Sequence, residues 1–310
     1  MRVVVTGGAG FIGTNLVLRL ASNSHIDEVV VFDNFSTGVR RDELAVAEVI
    51  EGDLRDPEAL AMALRGADSV IHLGALGSVP RSIDDPQTTN AVNIDGTLNV
   101  LEAARANGVE HVVSASSSSV YGANPEIPKI ESMVTMPVSP YAVSKLATEA
   151  YTISYARSYG MSTLAFRFFN VFGPYQRSDH AYAAVIPRFL EAIKNGTPLT
   201  VHGDGTQSRD FTSVHSVTDA LTQAVLAKIS APTPINLAFG RRFTLNQLIE
   251  VLEKIHGSRL ERVATPPRVG DVPHSQASPD RLHALLPSIT APEFENAVAE
   301  TYRWYFESPA

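Results

Sequence analysis

Short apolar runs alternate with amphipathic stretches through the first half of the chain. The apolar runs predict strands at residues 2–6, 28–32, 46–52, 69–73, 111–115 and 163–169. The stretches between them predict helices at about 10–21, 57–65, 89–107 and 140–159. Strands that are apolar throughout are typical of a parallel sheet with helices on both faces. Residues 1–170 therefore predict a doubly wound parallel α/β sheet of the Rossmann type.

The regular alternation of apolar runs and amphipathic stretches ends after residue 170. Pro and Gly become frequent, and the regular elements are isolated from one another. Helices are predicted near 184–195, 218–228 and 245–256, and strands near 199–202 and 211–214. Residues 171–310 therefore predict a smaller α/β lobe, with a return of the chain to the first domain near 211–230.

Composition and charge restrict the class of protein. The chain has 310 residues, of which 44% are hydrophobic and 19% charged, as expected for an ordinary globular enzyme. No apolar run approaches the roughly 18 residues that a membrane span needs. The net charge of −8 argues against nucleic acid as the main partner, because phosphate binding is driven by clustered Lys and Arg. The first residues resemble a strand and not a signal peptide, so a cytoplasmic location is expected.

Metal and thiol chemistry find no support in the sequence. There is no cysteine, which removes disulfides, thiolate metal sites and cysteine nucleophiles from consideration. The nine histidines show no spacing typical of metal ligands. No metal site is therefore predicted.

A glycine-rich segment follows the first predicted strand and begins the first predicted helix. Gly7, Gly10 and Gly13 have the spacing and context of a dinucleotide-binding turn, in which the helix N-terminus receives the pyrophosphate. Asp33 ends the second strand, where a carboxylate can accept from a ribose 2′-hydroxyl and repel a 2′-phosphate. The sequence therefore predicts NAD in preference to NADP. Asp53 could contact the adenine edge, and it fits an ordinary turn at a strand end equally well.

Tyr141 and Lys145 stand four residues apart on a predicted helix, so their side chains share one face. A neighbouring ammonium favours the phenolate. Acting as a base at neutral pH requires the tyrosine pKa to fall by about 3 units, or about 4 kcal/mol. The spacing alone also fits an ordinary helix, and its weight comes from the NAD motif and from the serine run Ser116–Ser119. Together these residues predict proton transfer on an alcohol coupled to hydride transfer.

Further motifs run along most of the chain. They are His72-Leu73-Gly74-Ala75, Asn93-Ile94-Asp95-Gly96-Thr97, Ser117-Ser118-Ser119-Val120-Tyr121-Gly122, Arg167-Phe168-Phe169-Asn170-Val171-Phe172-Gly173-Pro174, Gly203-Asp204-Gly205 and Ser208-Arg209-Asp210-Phe211. With these motifs the chain resembles the extended short-chain dehydrogenase/reductases from end to end. The resemblance implies a nucleotide-sugar enzyme with tightly held NAD. Gly74 departs from the family pattern, in which alanine is usual, and should affect packing more than chemistry.

The resemblance also implies the roles of individual residues. Ser117, Tyr141 and Lys145 match the catalytic serine, the base, and the lysine that holds the nicotinamide ribose and lowers the tyrosine pKa. The implied NAD ligands are Gly7, Gly10, Phe11, Ile12, Gly13, Asp33, Asn34, Ser36, Thr37, Gly38, Asp53, Leu54, Leu73, Gly74, Ala75, Asn93, Tyr141, Lys145 and Phe169. The implied ligands of a UDP-sugar are Gly77, Ser78, Ser117, Ser118, Tyr141, Asn170, Gln176, Arg177, Ala184, Val185, Thr200, His202, Arg209, Arg268 and Ser275.

The reaction is narrowed by residues that the chain lacks. Family members that remove water carry an Asp-Glu pair directly after the catalytic serine or threonine, and here Ser118 and Ser119 occupy those positions. Family reductases usually accept NADP, which Asp33 disfavours. What remains is 4-epimerisation of a UDP-hexose through a transient 4-keto sugar. A different class, a catalytically silent NAD-binding regulator, is disfavoured because Ser117, Tyr141 and Lys145 are all intact.

The sugar is predicted from the resemblance of three segments to bacterial UDP-N-acetylglucosamine 4-epimerases: residues 75–82, Gln176 and residues 181–187. Ser275 matches a gatekeeper position, where a bulky tyrosine restricts epimerases to non-acetylated sugars. UDP-GlcNAc and UDP-GalNAc are therefore the first choice. Arg177 resembles a position that uronate epimerases use, so UDP-glucuronate or an N-acetylated uronate stays open, as does UDP-glucose. A homodimer through helices 89–107 and 140–159 is implied by the resemblance alone.

Overall fold

A seven-stranded parallel sheet forms the centre of the computed structural model, which describes residues 1–178, 183–266 and 273–307. The strands of this sheet are β1 (Arg2–Thr6), β2 (Glu28–Asp33), β3 (Glu48–Glu51), β4 (Ser69–His72), β5 (His111–Ser117), β6 (Ser162–Phe168) and, numbered in chain order, β11 (Ile235–Leu237). Their order in the sheet is β3-β2-β1-β4-β5-β6-β11, the order of a doubly wound sheet with one added edge strand. The fold class predicted from the sequence is confirmed.

Helices cover both faces of the sheet. In chain order the helices of the described residues, those of the smaller lobe included, are α1 (Phe11–Ala21), α2 (Pro57–Ala63), α3 (Val79–Asp84), α4 (Pro86–Asn90), α5 (Gly96–Ala106), α6 (Pro140–Tyr159), α7 (Val185–Lys194), α8 (Val214–Leu226), α9 (Leu245–His256), α10 (Asp280–Leu285) and α11 (Phe294–Glu307). A π-helical turn, Ala91–Asp95, joins α4 to α5, so the single helix predicted at 89–107 is a continuous helical stretch with a local widening. Short 3₁₀ turns occur at Asp42–Val46 and Ser118–Tyr121.

Two buried apolar layers sandwich the sheet. On one face α1 and α8 pack on residues such as Val3, Val5 and Phe166. On the other face α2 and α5 pack on residues such as Val4 and Val112. The strands read as continuous apolar runs because side chains on both of their faces are buried.

A third apolar cluster belongs to the smaller lobe, where α7, α9 and α11 pack around aromatic side chains that include Phe294. The short strands outside the main sheet are β7 (Val171–Phe172), β8 (Leu199–His202), β9 (Ser208–Asp210), β10 (Thr212–Ser213), β12 (Arg242–Thr244) and β13 (Arg262–Thr265). They pair as β7 with β10, β9 with β12 and β8 with β13. Helix α8, strand β11 and helix α10 pack with the core of the first domain, so the chain returns to it twice.

Helix α6 carries two of the predicted catalytic residues, and its boundaries have clear local causes. Ser139 accepts from the N–H of Ala142 as N-cap, Pro140 occupies the first turn, and Gly160 ends the helix with a φ of 71°. The helix therefore begins at the predicted residue and holds Tyr141 in its first turn. In the described part of the chain, no helix has the length and apolar content of a membrane span.

Candidate active site

A cleft of about 600 Å³ opens at the carboxyl ends of the sheet strands, where doubly wound folds bind their ligands. It brings together most of the site residues predicted from the sequence. Those that line it are Gly7, Gly10, Phe11, Ile12, Gly13, Asp33, Asn34, Ser36, Thr37, Asp53, Leu54, Leu73, Gly74, Ala75, Gly77, Ser78, Ser117, Tyr141, Lys145, Asn170, Gln176, Arg177 and Ala184.

The glycine turn at one end of the cleft tolerates no side chains at two of its positions. Gly7 has a φ of +70°, and a Cβ on it would lie 2.6 Å from the backbone nitrogen of Gly74. A Cβ on Gly13 would lie 2.2 Å from the Gly7 carbonyl oxygen. Helix α1 begins after Gly10 with no capping side chain, and its first residues line the cleft. The uncapped helix start fits the pyrophosphate of a dinucleotide.

Asp33 lies at the end of β2 and faces the same cleft. Its Oδ2 accepts from the N–H of Ala9 at 3.0 Å, and its Oδ1 accepts from the N–H of Phe35 at 2.8 Å. Burial raises the pKa of this carboxyl, and the two backbone hydrogen bonds oppose the rise. Each carboxylate oxygen keeps a free lone pair, which fits a ribose diol. A Cβ on Gly38 would lie 2.9 Å from Asp33 Oδ1, so Gly38 leaves room for the carboxylate and does not line the cleft itself.

The predicted catalytic residues meet at the centre of the cleft. Ser117, at the end of β5, and Tyr141 both line the cleft, and the Ser117 hydroxyl is near enough to the phenol to favour its ionised form. Lys145, one turn further along α6, is buried, and its Nζ donates to the Ala115 carbonyl at 2.9 Å. Burial lowers the pKa of Lys145 to about 8. Tyr141 is fixed at its backbone, whose N–H donates to Ser82 Oγ at 3.0 Å.

The electrostatics of Tyr141 differ from the sequence prediction. Burial raises the pKa of its phenol above the ordinary value, and the hydrogen bond from Ser117 opposes the rise. The ammonium of Lys145 is committed to a backbone carbonyl, so in the protein alone the dominant influence on Tyr141 is desolvation. Lowering the tyrosine pKa therefore requires positive charge beyond what this arrangement supplies.

Comparison with known proteins identifies the family. The model of the NAD-dependent epimerase/dehydratase family matches residues 3–238. The chain belongs to this family. It is 36% identical to the UDP-glucose 4-epimerase of Mycolicibacterium smegmatis over 92% of each chain. NAD is the cofactor, as predicted.

Solved structures of this epimerase/dehydratase family superpose along nearly the whole chain. The UDP-N-acetylglucosamine 4-epimerase of Methanobrevibacter ruminantium M1, in complex with UDP-N-acetylmuramic acid, has a TM-score of 0.92 and 38% identity, with 99% of both chains covered. The UDP-glucuronic acid 4-epimerase of Bacillus cereus, in complex with UDP-glucuronic acid and NAD, has a TM-score of 0.90 and 28% identity over 99% of both chains. The family resemblance read from the sequence is confirmed.

Beneath the active site of this epimerase/dehydratase lies a buried ion pair that the sequence reading missed. Arg167 Nη2 and Nε donate to Glu149 Oε1 and Oε2 at 2.6 and 2.9 Å. Ser116, which lines the cleft, donates from its hydroxyl to Glu149 Oε2 at 2.7 Å. The available signal was the spacing of Glu149, four residues after Lys145 on the same face of α6.

Two predicted NAD ligands lie behind the wall of the cleft. Asn93 is buried. Its Oδ1 accepts a hydrogen bond from the backbone N–H of Leu76 at 2.7 Å, and its Nδ2 donates to Ser144 Oγ at 2.9 Å. It therefore positions the cleft wall at Leu76. Phe169 is fully buried against Tyr121, with ring centroids 6.1 Å apart, whereas Phe168 lines the cleft.

Several predicted UDP-sugar ligands also lie outside the cleft lining. They are Ser118, Val185, Thr200, His202, Arg209 and Ser275. Arg209 Nη1 donates to the carbonyls of Ser208 and Pro273 at 3.0 and 3.2 Å, and the N–H of Ser275 donates to the Ser208 carbonyl at 3.0 Å. Arg268 lies outside the described residues. Within residues 1–178, 183–266 and 273–307, no group of three or more His, Asp or Glu side chains could hold a metal ion.

Asp53 is committed to partners at the rim of the cleft. Its carboxylate accepts from Arg55 Nε and Nη2 at 2.8 and 2.7 Å and from Asn34 Nδ2 at 2.9 Å. The Arg55 guanidinium holds the pKa of this carboxyl well below its usual range. Asp53 and Asn34 therefore present a preformed edge to a ligand, in which the Asp53 carboxylate is ionised.

Asp33 gives a test of cofactor preference. Asp33→Asn should weaken NADH binding about tenfold and reduce the preference for NADH over NADPH, because a neutral amide neither attracts the diol as strongly nor repels a 2′-phosphate. Fluorescence titration of cofactor-stripped protein with both dinucleotides measures this. Asp42→Asn, a change at an exposed aspartate, is the control. An unchanged NADH to NADPH ratio in Asp33→Asn would assign the preference to other residues.

Proposed function

We propose that the protein interconverts UDP-GlcNAc and UDP-GalNAc by NAD-dependent 4-epimerisation. The coarser activity, NAD-dependent 4-epimerisation of a UDP-sugar, rests on the family and on its relatives, which include enzymes for glucose, N-acetylglucosamine and glucuronic acid nucleotides. The observation that carries the finer proposal is the whole-chain likeness to a UDP-N-acetylglucosamine 4-epimerase. Ser275 lies outside the cleft lining, so its match to the gatekeeper position supports the proposal through the family resemblance alone.

In this proposal, different residues of the cleft have different roles in moving the proton of the C4 hydroxyl. When bound, NAD would supply the acceptor for the hydride that leaves C4 of the sugar and the source of the hydride that returns to it. Tyr141 removes the proton of the C4 hydroxyl as the sugar is oxidised and donates it back when the 4-keto sugar is reduced on its other face. Ser117 favours the ionised form of the Tyr141 phenol from its place at the end of β5. The atoms balance because each proton and hydride removed from the sugar returns to it.

The environment of Tyr141 explains why cofactor and base act as a unit. Burial raises the pKa of the phenol, so phenolate forms only when positive charge is placed beside it. Lys145 is protonated below its pKa of about 8, but its ammonium donates to the Ala115 carbonyl and leaves desolvation as the main influence on the Tyr141 pKa. An oxidised nicotinamide ring bound in this cleft would supply the positive charge that the phenol lacks. Catalytic competence of Tyr141 is therefore coupled to the oxidised state of the cofactor.

UDP-glucuronate 4-epimerisation is the second candidate. The observation that favours it is Arg177, whose side chain lines the cleft and could face a C6 carboxylate. The Arg177 Nη1 donates to the Thr37 carbonyl at 3.3 Å. This nitrogen therefore lies beside the loop that follows β2, where the predicted NAD ligands Ser36 and Thr37 are found. That position favours a cofactor contact over a sugar contact, so we rank the uronate second.

A panel of substrates tests the proposal. Purified protein without added cofactor is incubated with UDP-GlcNAc, UDP-glucose, UDP-glucuronate and UDP-N-acetylglucosaminuronate, and inversion at C4 is followed by proton NMR. We expect the highest kcat/KM with UDP-GlcNAc. Faster inversion of a uronate would support the second candidate, and faster inversion of UDP-glucose would contradict both.

The gatekeeper position supplies the matched variants. Ser275→Tyr should remove most UDP-GlcNAc turnover and spare UDP-glucose, because added bulk excludes the N-acetyl group. Ser275→Ala controls for loss of the hydroxyl and should keep both activities. Equal losses on the two sugars in Ser275→Tyr would show that position 275 does not select the substrate. The homodimer and the cytoplasmic location stay predictions.

A further inference from the structure

Arg41 is a half-buried guanidinium that the sequence reading did not single out. It lines the cleft at the glycine turn, where its Nη1 donates to the carbonyls of Ala9 and Val39 at 3.3 and 3.4 Å. Burial lowers the pKa of Arg41, the nearby carboxylate of Glu43 opposes this, and the charge of Arg177 adds to the lowering. Within the described residues, Arg41 forms no ion pair within 4.0 Å. This partly desolvated cation therefore faces the cleft with no carboxylate in direct contact, although Glu43 lies near enough to influence its pKa.

A segment of the smaller lobe crosses over the same place. We call residues 174–177 the strap. Asn15 Nδ2 of α1 donates to the Pro174 carbonyl at 2.9 Å, and the Tyr175 hydroxyl donates to Glu43 at 3.4 Å. Arg177 Nη1 donates to the Thr37 carbonyl at 3.3 Å. The strap is therefore hydrogen-bonded to α1 and to the residues that follow β2.

Tyr175 connects the strap to Arg41. The Arg41 guanidinium carbon lies 5.4 Å from the centre of the Tyr175 ring, within the range of a cation–π contact. Tyr175 adopts a φ of +66°, which is uncommon for a residue with a side chain and is held by the surrounding contacts. The ring also packs on Trp304 of α11, with centroids 5.0 Å apart. Arg41 is thus clamped between the Ala9 carbonyl and an aromatic ring.

We propose that Arg41 binds the pyrophosphate of NAD and that the strap keeps Arg41 in place, so that the cofactor stays bound between turnovers. The first turn of α1 is uncapped and lines the cleft next to Ala9, so phosphate oxygens there would meet both helix N–H groups and the guanidinium fork. A reaction that returns its hydride to the same sugar gains from a cofactor that does not leave. The geometry assigns Arg41 and the strap to that retention.

The neighbouring Arg40 provides a matched control. It pairs with Glu51, stacks on Phe35 at 3.9 Å and does not line the cleft. In cofactor-stripped protein, Arg41→Gln should weaken NAD binding about 10- to 100-fold in calorimetric titrations. Arg40→Gln should bind NAD like the unchanged protein. NAD released from freshly purified, denatured protein should fall in Arg41→Gln only.

Adenosine separates a phosphate ligand from a structural brace, because it lacks the pyrophosphate. Its affinity, measured by NMR titration, should be equal in Arg41→Gln and in the unchanged protein. Unaltered NAD affinity in Arg41→Gln would overturn the proposal. Equal losses of NAD and adenosine would overturn it as well, since Arg41 would then shape the pocket and not bind phosphate.

The strap is tested through Tyr175. Tyr175→Leu removes the ring that clamps Arg41 and should speed NADH release about tenfold, whereas Tyr175→Phe keeps the ring and should release NADH at the original rate. Trp304, the one tryptophan of the chain, lies beside residue 175 and reports release by its fluorescence after addition of excess NAD. Equal release rates in Tyr175→Leu and Tyr175→Phe would show that the strap does not retain the cofactor.

Discussion

Tyr141→Phe should lower kcat about 10²- to 10⁴-fold while NAD remains bound, because the change deletes the hydroxyl to which we assign proton exchange with the C4 oxygen. The ring stays in place, so the packing of α6 is preserved. Ser117 would remain at the end of β5 with no phenol to orient. Turnover by NMR, together with the NAD content of the purified variant, measures the two quantities separately.

Tyr151→Phe is the control for Tyr141→Phe, because Tyr151 lies on the same helix and is exposed. It should keep full turnover. If Tyr141→Phe retained more than about a tenth of the original kcat, Tyr141 would not be the general base. If the unchanged protein were silent on every UDP-sugar and yet held NAD, the reading as a regulator would replace that of an enzyme.

The main sheet could be predicted because most of its strands are marked by a local apolar run in the sequence. Six of the seven strands were predicted to within a few residues, since each is an apolar run between helix signals. β11 has only three residues, and it becomes a strand by pairing with Phe166–Phe168 of β6. A run that short carries no periodicity, so its place at the sheet edge depends on contacts distant in sequence.

The site residues could be predicted where a motif specifies the residue types. They were harder to predict where the direction of the side chain decides which of two adjacent residues lines the cleft. Phe168 and Phe169 are alike in sequence, but only Phe168 lines the cleft. Arg40 and Arg41 are also adjacent and alike. The side chain of Arg40 is 63% exposed and paired with Glu51, whereas Arg41 is turned into the cleft. Tertiary packing, and not local sequence, separates the members of each pair.

The buried pair of Glu149 and Arg167 should give the largest stability effect of any single change away from the catalytic residues. Both side chains are 4% exposed, and Arg167 also packs over the Tyr121 ring at 4.7 Å. Burial opposes the charged guanidinium, but the hydrogen bonds and charge of Glu149 prevail and raise the pKa of Arg167. The cation is therefore stable only while its carboxylate partner is present.

Glu149→Leu should lower the free energy of unfolding by about 3–5 kcal/mol, because it leaves Arg167 charged and unpaired in the interior. The double variant Glu149→Leu/Arg167→Met should recover much of this loss, since it removes both charges. Urea unfolding followed by circular dichroism measures each variant. Arg241→Gln, at an exposed pair with Glu293 in which the side chains are 46% and 74% exposed, should change stability by less than about 1 kcal/mol. A double variant as unstable as the sum of its single changes would show that the two residues stabilise the core independently and not as a pair.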